Sequence, residues 1–293
     1  MFGIKNHRFS GMAAMLIAVA FFAFMDGGLK QLAAHYPSAE VAALRGLASF
    51  PIVMIWALWA GGITPLIRVR WPLHLIRGVL SVAMLITFSY GVKTLTLSAT
   101  YAIFFVAPLM ITVFSLLFFG ERVVRAQWWA IAIGFVGVLV ALKPQGAGLV
   151  SLGGLAVLAC ATCYSLSNLL VKVIGRTDSI FAMTFWMTTM LSIGATAIAL
   201  PDWVTMRSED YWLIALIAIC GSIAQYCITV AFQRAPAASV APLEYTSLAW
   251  GLLLDLTFWG ALPGMRTLLG ATLAIASGII LLRHESTLAP PIH

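Results

Sequence analysis

The chain has 293 residues, of which 62% are hydrophobic and 9% charged, with a formal net charge of +7 and a mean hydropathy of +1.01. Soluble domains carry about 25% charged residues, so this composition cannot clothe a water-facing surface and reads as an all-α integral membrane protein. A ~30 Å hydrocarbon core takes about 20 helical residues; ten crossings use about 200 positions and leave no room for a soluble catalytic or nucleotide-binding domain. Lys and Arg stand singly between apolar runs rather than in a stripe, which argues against nucleic acid and for charges that orient membrane helices.

In chain order, Lys5, His7 and Arg8 precede an apolar run over about 11–33. This mimics a secretory leader, but the run exceeds the roughly 7–15 apolar residues of one and reads as a retained first helix. Phe22, Asp26 and Lys30 share a face of it at spacings of four. They either line a path, or Asp26 and Lys30 neutralise each other while the lysine snorkels to the interface. A second segment over 38–60 carries Arg45, and a third over 72–94 runs from Arg77-Gly78 past Tyr90. The fourth, 98–119, holds Tyr101 and Pro108, and the fifth, 126–143, repeats small residues at Ala126, Ala130 and Gly134. The cluster Lys143-Pro144-Gln145-Gly146-Ala147-Gly148 is rich in helix breakers and lies near the midpoint, dividing the chain into halves 1–144 and 145–293. The sixth segment, 151–173, carries Tyr164, Asn168 and Lys172 at spacings of four; the seventh, 180–200, carries Trp186; the eighth, 211–233, carries Ser222 and Gln225. The ninth, 238–260, holds Glu244, Tyr245, Trp250 and Asp255, and the tenth, 264–283, repeats Gly270, Ala274 and Gly278. Runs such as 130–142 lack the alternation of a barrel strand.

Five segments per half force the halves into opposite orientations, the design of inverted-repeat transporters. A shift of 142 pairs Phe22, Asp26 and Lys30 with Tyr164, Asn168 and Lys172; a shift of 140 pairs Phe118, Gly120 and Lys143 with Phe258, Gly260 and Arg283. An even count puts both termini on one side. Placing them in the cytoplasm gives that side Lys5, Arg8, Arg68, Arg70, Arg77, Arg122, Arg125, Lys172, Arg176, Arg234 and Arg283, 11 of the 17 Lys and Arg, as the positive-inside rule requires. The small-residue stripes form either a dimer face or a packing seam inside the bundle.

An ionisable group at the centre of a membrane helix costs at least ~2.5–3.5 kcal/mol, so Asp26 and Glu244 need reasons. Glu244 lies about 10 Å into its segment at 1.5 Å per residue, with no cation within four positions. It is a proton carrier, an anchor for a substrate ammonium, or a carboxyl satisfied by a neighbouring helix. Tyr90, Tyr101, Tyr164, Tyr245, Trp186 and Trp250 are candidates for a wall that receives aromatic or apolar solutes. Asn168, Ser222 and Gln225 are candidates for hydrogen bonding to them. The four cysteines, including Cys160-x-x-Cys163, lie in apolar runs where thiols act as small hydrophobes. The five histidines lie at tails or segment ends and no His-Glu-x-x-His occurs, so no metal, cofactor or enzymatic activity is expected.

Arg45, Arg77-Gly78, Pro108, Gly120-Glu121, Gly134-x-x-Gly137-Val138 and the run Ala235–Leu243, in this order, resemble the ten-helix EamA-type exporters of the drug/metabolite transporter superfamily, most of all the YddG-type amino-acid exporters. The resemblance spans nearly the whole chain. Ala261-Leu262 stands where the second half often repeats Gly-Glu, so Glu121 is treated as a loop or helix-end residue. The resemblance implies an inner-membrane exporter, monomeric or homodimeric, that moves amino acids or related small metabolites through a central cavity by alternating access. Another solute class (a cationic drug, a nucleotide sugar, a vitamin), a channel, or a lipid-modifying membrane enzyme are the alternatives.

Overall fold

The computed structural model describes residues 2–95, 97–142, 151–260 and 264–287. Its α-helices are α1 (Phe2–Leu32), α2 (Ser38–Gly61), α3 (Thr64–Ile67), α4 (Trp71–Thr94), α5 (Leu97–Phe104), α6 (Ala107–Phe119), α7 (Arg125–Leu142), α8 (Leu152–Ile174), α9 (Ile180–Ala199), α10 (Tyr211–Arg234), α11 (Ala237–Val240), α12 (Ser247–Trp259) and α13 (Met265–Thr287). Among the described residues seven stretches are long and apolar enough to cross a membrane, and 125–141 and 265–281 form shorter apolar helices. With α11 and α12 as one further passage, the chain makes ten crossings in two five-segment repeats. The Lys143–Gly148 cluster, Ala261-Leu262 and the side chain of Asp255 lie outside the described residues.

Helix ends follow local chemistry. Ser151 and Ser179 cap α8 and α9 by accepting from the N–H of Gly154 and Ala182, each at 3.1 Å, the usual N-cap bond. Gly120 and Gly260, paired by the shift of 140, both end their crossings with positive φ, 62° and 60°, where a side chain would be strained.

Two segments expected to be continuous are interrupted. The fourth crossing breaks at Phe105-Val106, with Pro108 in the first turn of α6; the ninth passes from α11 through a 3-10 segment, Ala241–Thr246, that contains Pro242. Proline has no N–H to donate and its ring clashes with the carbonyl four residues back. In lipid the freed groups need partners inside the protein, and side chains from other crossings reach the backbone at the fourth-crossing break. Ser165 donates to the carbonyl of Ala107 at 3.3 Å, and the Tyr245 hydroxyl donates to that of Phe105, also at 3.3 Å.

Packing repeats across the halves. α1 lies along α10 as α4 lies along α8, while α2 packs on α9 and α7 on α13; exchanging the halves maps this set onto itself. The small-residue stripes face each other within one chain, so the dimer-face reading does not hold. A Cβ on Gly270 would fall 2.4 Å from the Gly137 carbonyl oxygen, and one on Gly134 would fall 2.2 Å from the Tyr245 ring. Ser277 adds a 2.6 Å bond to the Ala130 carbonyl. The largest core cluster, with Met12, Ile111, Ile174, Met183, Phe232 and Leu281, gathers at the end of the bundle that carries the termini, hereafter the terminus side. Its opposite is the far side.

Gly134→Ala should lower the thermal midpoint of the purified protein by an overpacking cost of about 1–3 kcal/mol. Gly251→Ala, where an added Cβ meets nothing within 4 Å, should leave it unchanged. Intrinsic-fluorescence melting in detergent reads both; equal midpoints for the two variants would contradict the packing described.

Candidate functional site

The break in the ninth crossing places Glu244 in the 3-10 segment, where it is buried and accepts a hydrogen bond from the Tyr164 hydroxyl of α8 at 3.2 Å on Oε1. Tyr164 also packs at a tilt against Phe104, at the end of α5, with ring centroids 5.4 Å apart. Asn168, one turn on, donates its amide to the Tyr164 carbonyl at 3.1 Å. Two residues singled out separately in sequence, Tyr164 and Glu244, therefore meet beside both helix breaks.

Nearer the far side, Asp26 on α1 keeps an exposed surface. The opposing charge that acts on it is Arg45 of α2, not Lys30 on its own helix. The Arg45 guanidinium sits over the Phe22 ring at 5.9 Å, and Tyr101 of α5 feels the Asp26 charge while meeting the Phe88 ring at a tilt, with centroids 6.1 Å apart. Trp250 of α12 meets Phe24 at 6.0 Å. Beside Arg45 lies a cavity of about 20 Å³ whose lining includes Ser49, Thr188 and Gln225.

Other expected wall residues sit elsewhere. Tyr245 has no exposed surface; it points away from Glu244 into a cluster with Val138 and Ala274. Consecutive residues project to different faces of a helical turn, which is why adjacency to Glu244 misled. Trp186 donates to the Leu66 carbonyl of α3 at 2.8 Å and packs edge-on against Trp71, an anchoring role at the terminus side. Ser222 turns back to the Ala218 carbonyl at 2.7 Å. Tyr90 is exposed near the end of α4, apart from the other named rings. Cys160 and Cys163 are free thiols, and no metal-binding group of three occurs among the described residues. Sequence reasoning missed Arg45 as a site residue; a cation seven residues inside an apolar helix was the available signal. It also underrated Glu121, which pairs with Lys172 and accepts the Ala237 N–H at 3.0 Å.

The pattern of the EamA-like transporter family matches residues 9–143 and again residues 151–283. The chain belongs to this family. Curated relatives of similar length include the pseudopaline exporter of Pseudomonas aeruginosa, 24% identical over 94% of this chain and 96% of its own. The riboflavin transporter of Vibrio cholerae is 25% identical over 97% and 96%, and the S-adenosylmethionine uptake transporter of Rickettsia conorii 23% identical over 94% and 93%. A solved crystal structure superposes on 97% of this chain and 99% of its own with a TM-score of 0.79 at 19% identity, which shows a shared fold.

In this EamA-family chain the two ends are tied alike. At the far side the Tyr36 hydroxyl donates to Asp210 at 2.7 Å and accepts the Arg207 N–H at 2.9 Å. At the terminus side Asp178 accepts the Arg70 N–H at 3.0 Å and meets His74 Nε2 at 2.9 Å. Each tie joins the loop after the first segment of one repeat to the loop before the third segment of the other. Burial pushes the Asp178 carboxyl up, but hydrogen bonds from Thr177, Arg70 and His74 outweigh it and hold the carboxyl below its ordinary range.

A carboxyl with a depressed folded pKa adds stability above its unfolded value of about 4 and loses it as pH falls through the folded one. Melting midpoints measured from neutral pH down to about pH 3 should therefore fall less steeply for Asp178→Asn than for the unmodified chain, starting from a lower value at neutral pH. Parallel curves would rule out a contribution from this tie.

Proposed function

We propose that the protein is a secondary transporter that exports amino acids, aromatic and other neutral ones favoured, or related small metabolites from the cytoplasm by alternating access, in the manner of the YddG-type exporters it resembles. The observation that carries this reading is Glu244, a buried carboxyl held by Tyr164 at 3.2 Å in the break of a membrane helix. Transporters of the inverted-repeat design bind their solutes at such discontinuities near the midplane. A carboxylate framed by aromatic rings suits an ammonium group through charge and cation–π attraction. The two repeats, 1–144 and 145–293, are taken as the units that rock against each other, in an inner membrane with both termini in the cytoplasm. On that orientation the tightly packed terminus side is the closed cytoplasmic end, and Asp26 faces outward.

A second reading, a different solute in the same architecture, is favoured by the breadth of the relatives, whose names specify pseudopaline, riboflavin and S-adenosylmethionine.

The test is efflux from proteoliposomes loaded with labelled aromatic, aliphatic and charged amino acids, with and without a proton gradient. Saturable efflux is expected, with aromatic solutes leading. Glu244→Gln and Asp26→Asn should each lower it by roughly tenfold or more, the loss of one hydrogen bond to a charged group. If both variants exported every solute at the unmodified rate and pH dependence, the carboxyl-anchoring reading would fail.

A further inference from the structure

Asp26 lies six residues before the end of α1 and Arg45 seven residues after the start of α2. At 1.5 Å per residue both are about 10 Å from the far-side helix ends. The two charges act on each other, yet no ion pair joins them, so their nitrogen and oxygen atoms stand more than 4.0 Å apart. Among the described residues neither side chain makes a hydrogen bond. Two opposite intramembrane charges at one depth, neither with a hydrogen-bonded partner among the described residues and one of them lining a cavity, form an arrangement suited to an occupant, since charges at such depth pair or mark a solute path.

We infer that Asp26 and Arg45 are the two halves of a zwitterion site, in which the guanidinium takes a solute carboxylate and the Asp26 carboxylate takes the ammonium of the same molecule. This rests on the transporter reading above and narrows its substrate class to α-amino acids and solutes that carry an amino-acid group. A simple cation would satisfy Asp26 and leave Arg45 unpaired beside a second positive charge; a simple anion would do the reverse. A zwitterion neutralises both. The guanidinium fork matches a carboxylate with two parallel hydrogen bonds. Its face is already held by Phe22 at 5.9 Å, which leaves the edge for the solute. The neighbouring cavity of about 20 Å³ with Ser49, Thr188 and Gln225 in its lining is of a size for one water, which would satisfy donors of the fork that the solute does not use. Tyr101 and the Phe24–Trp250 pair provide rings for the solute side chain. Glu244, nearer the terminus side and bonded to Tyr164, is then the ammonium contact at a different point of the path, not part of this site.

The experiment is counterflow of labelled L-phenylalanine into proteoliposomes containing the full chain. The competitors are phenylalanine itself, phenethylamine, which lacks the carboxylate, and 3-phenylpropionate, which lacks the ammonium. Exchange of riboflavin and of S-adenosylmethionine is measured alongside. Phenylalanine should compete at about tenfold lower concentration than either analogue, the loss of one charge-assisted contact. Arg45→Gln should bring phenylalanine and phenethylamine to equal potency, Asp26→Asn should do so for phenylalanine and 3-phenylpropionate, and Arg45→Lys should keep part of the carboxylate preference. If the unmodified protein accepts phenethylamine as readily as phenylalanine, or if Arg45→Gln keeps the original preference, the zwitterion site is wrong, and the first comparison holds even if a variant fails to fold. Riboflavin exchange without exchange of any amino acid would overturn this inference and leave the transporter reading intact. No exchange of any of the three solutes would overturn both.

Discussion

The hydrocarbon of a bilayer offers no partner to a backbone N–H or carbonyl that leaves its helix, and two of the ten crossings here leave theirs in mid-membrane. The hydrogen bond from the Tyr245 hydroxyl, in the break of the ninth crossing, to the Phe105 carbonyl, in the break of the fourth, joins one interruption to the other. Much else is arranged around that contact. Gly134 must lack a side chain so that the Tyr245 ring can lie against α7, α7 in turn packs on α13 through Gly137 and Gly270, and Ser165 of α8 bonds the carbonyl of Ala107. With Tyr245 turned into the bundle, its neighbour Glu244 is turned to Tyr164. The contact between the breaks and the placement of the Glu244 carboxyl against Tyr164 are thus consequences of one local geometry.

The ten crossings were legible because lipid filters sequence coarsely: a span needs length and apolarity, and little else. The interruptions were not, because the apolar run continues unbroken through Phe105-Val106 and through Pro242-Leu243, and proline is tolerated in membrane helices when neighbours re-satisfy the backbone. Within the site, helical spacing served well where residues share a face, as for Tyr164 and Asn168. It failed where depth alone was used. Trp186 sits well inside α9 by count, but α3 folds back against it and offers the Leu66 carbonyl, so a deep position became an anchoring one. Arg45 stood in sequence as a residue of the second segment and a motif of the family resemblance, while its relation to Asp26 required knowing that α1 and α2 set the two residues at one depth.

The repeats are alike in packing and not in chemistry, and the difference lies at the ends. The tie of Tyr36 to Arg207 and Asp210 before α10 and the tie of Asp178 to Arg70 and His74 at the start of α4 are counterparts. The contact of Lys172 with Glu121 and of Glu121 with the Ala237 N–H belongs to the terminus side, and the sequences of the two repeats differ at its carboxyl. The shift of 142 takes Lys172 to Lys30, so a lysine is kept, but the shift of 140 takes Glu121 to Ala261, which has no carboxyl to offer. One carboxylate there holds the last turn of α8 and the start of α11 to the end of α6. Opening that end would separate a lysine–carboxylate pair and take the acceptor from a helix N-terminus. In the proposed transport cycle, opening the terminus side therefore has to break a contact made by Glu121, a carboxyl that the corresponding position of the second repeat, Ala261, lacks.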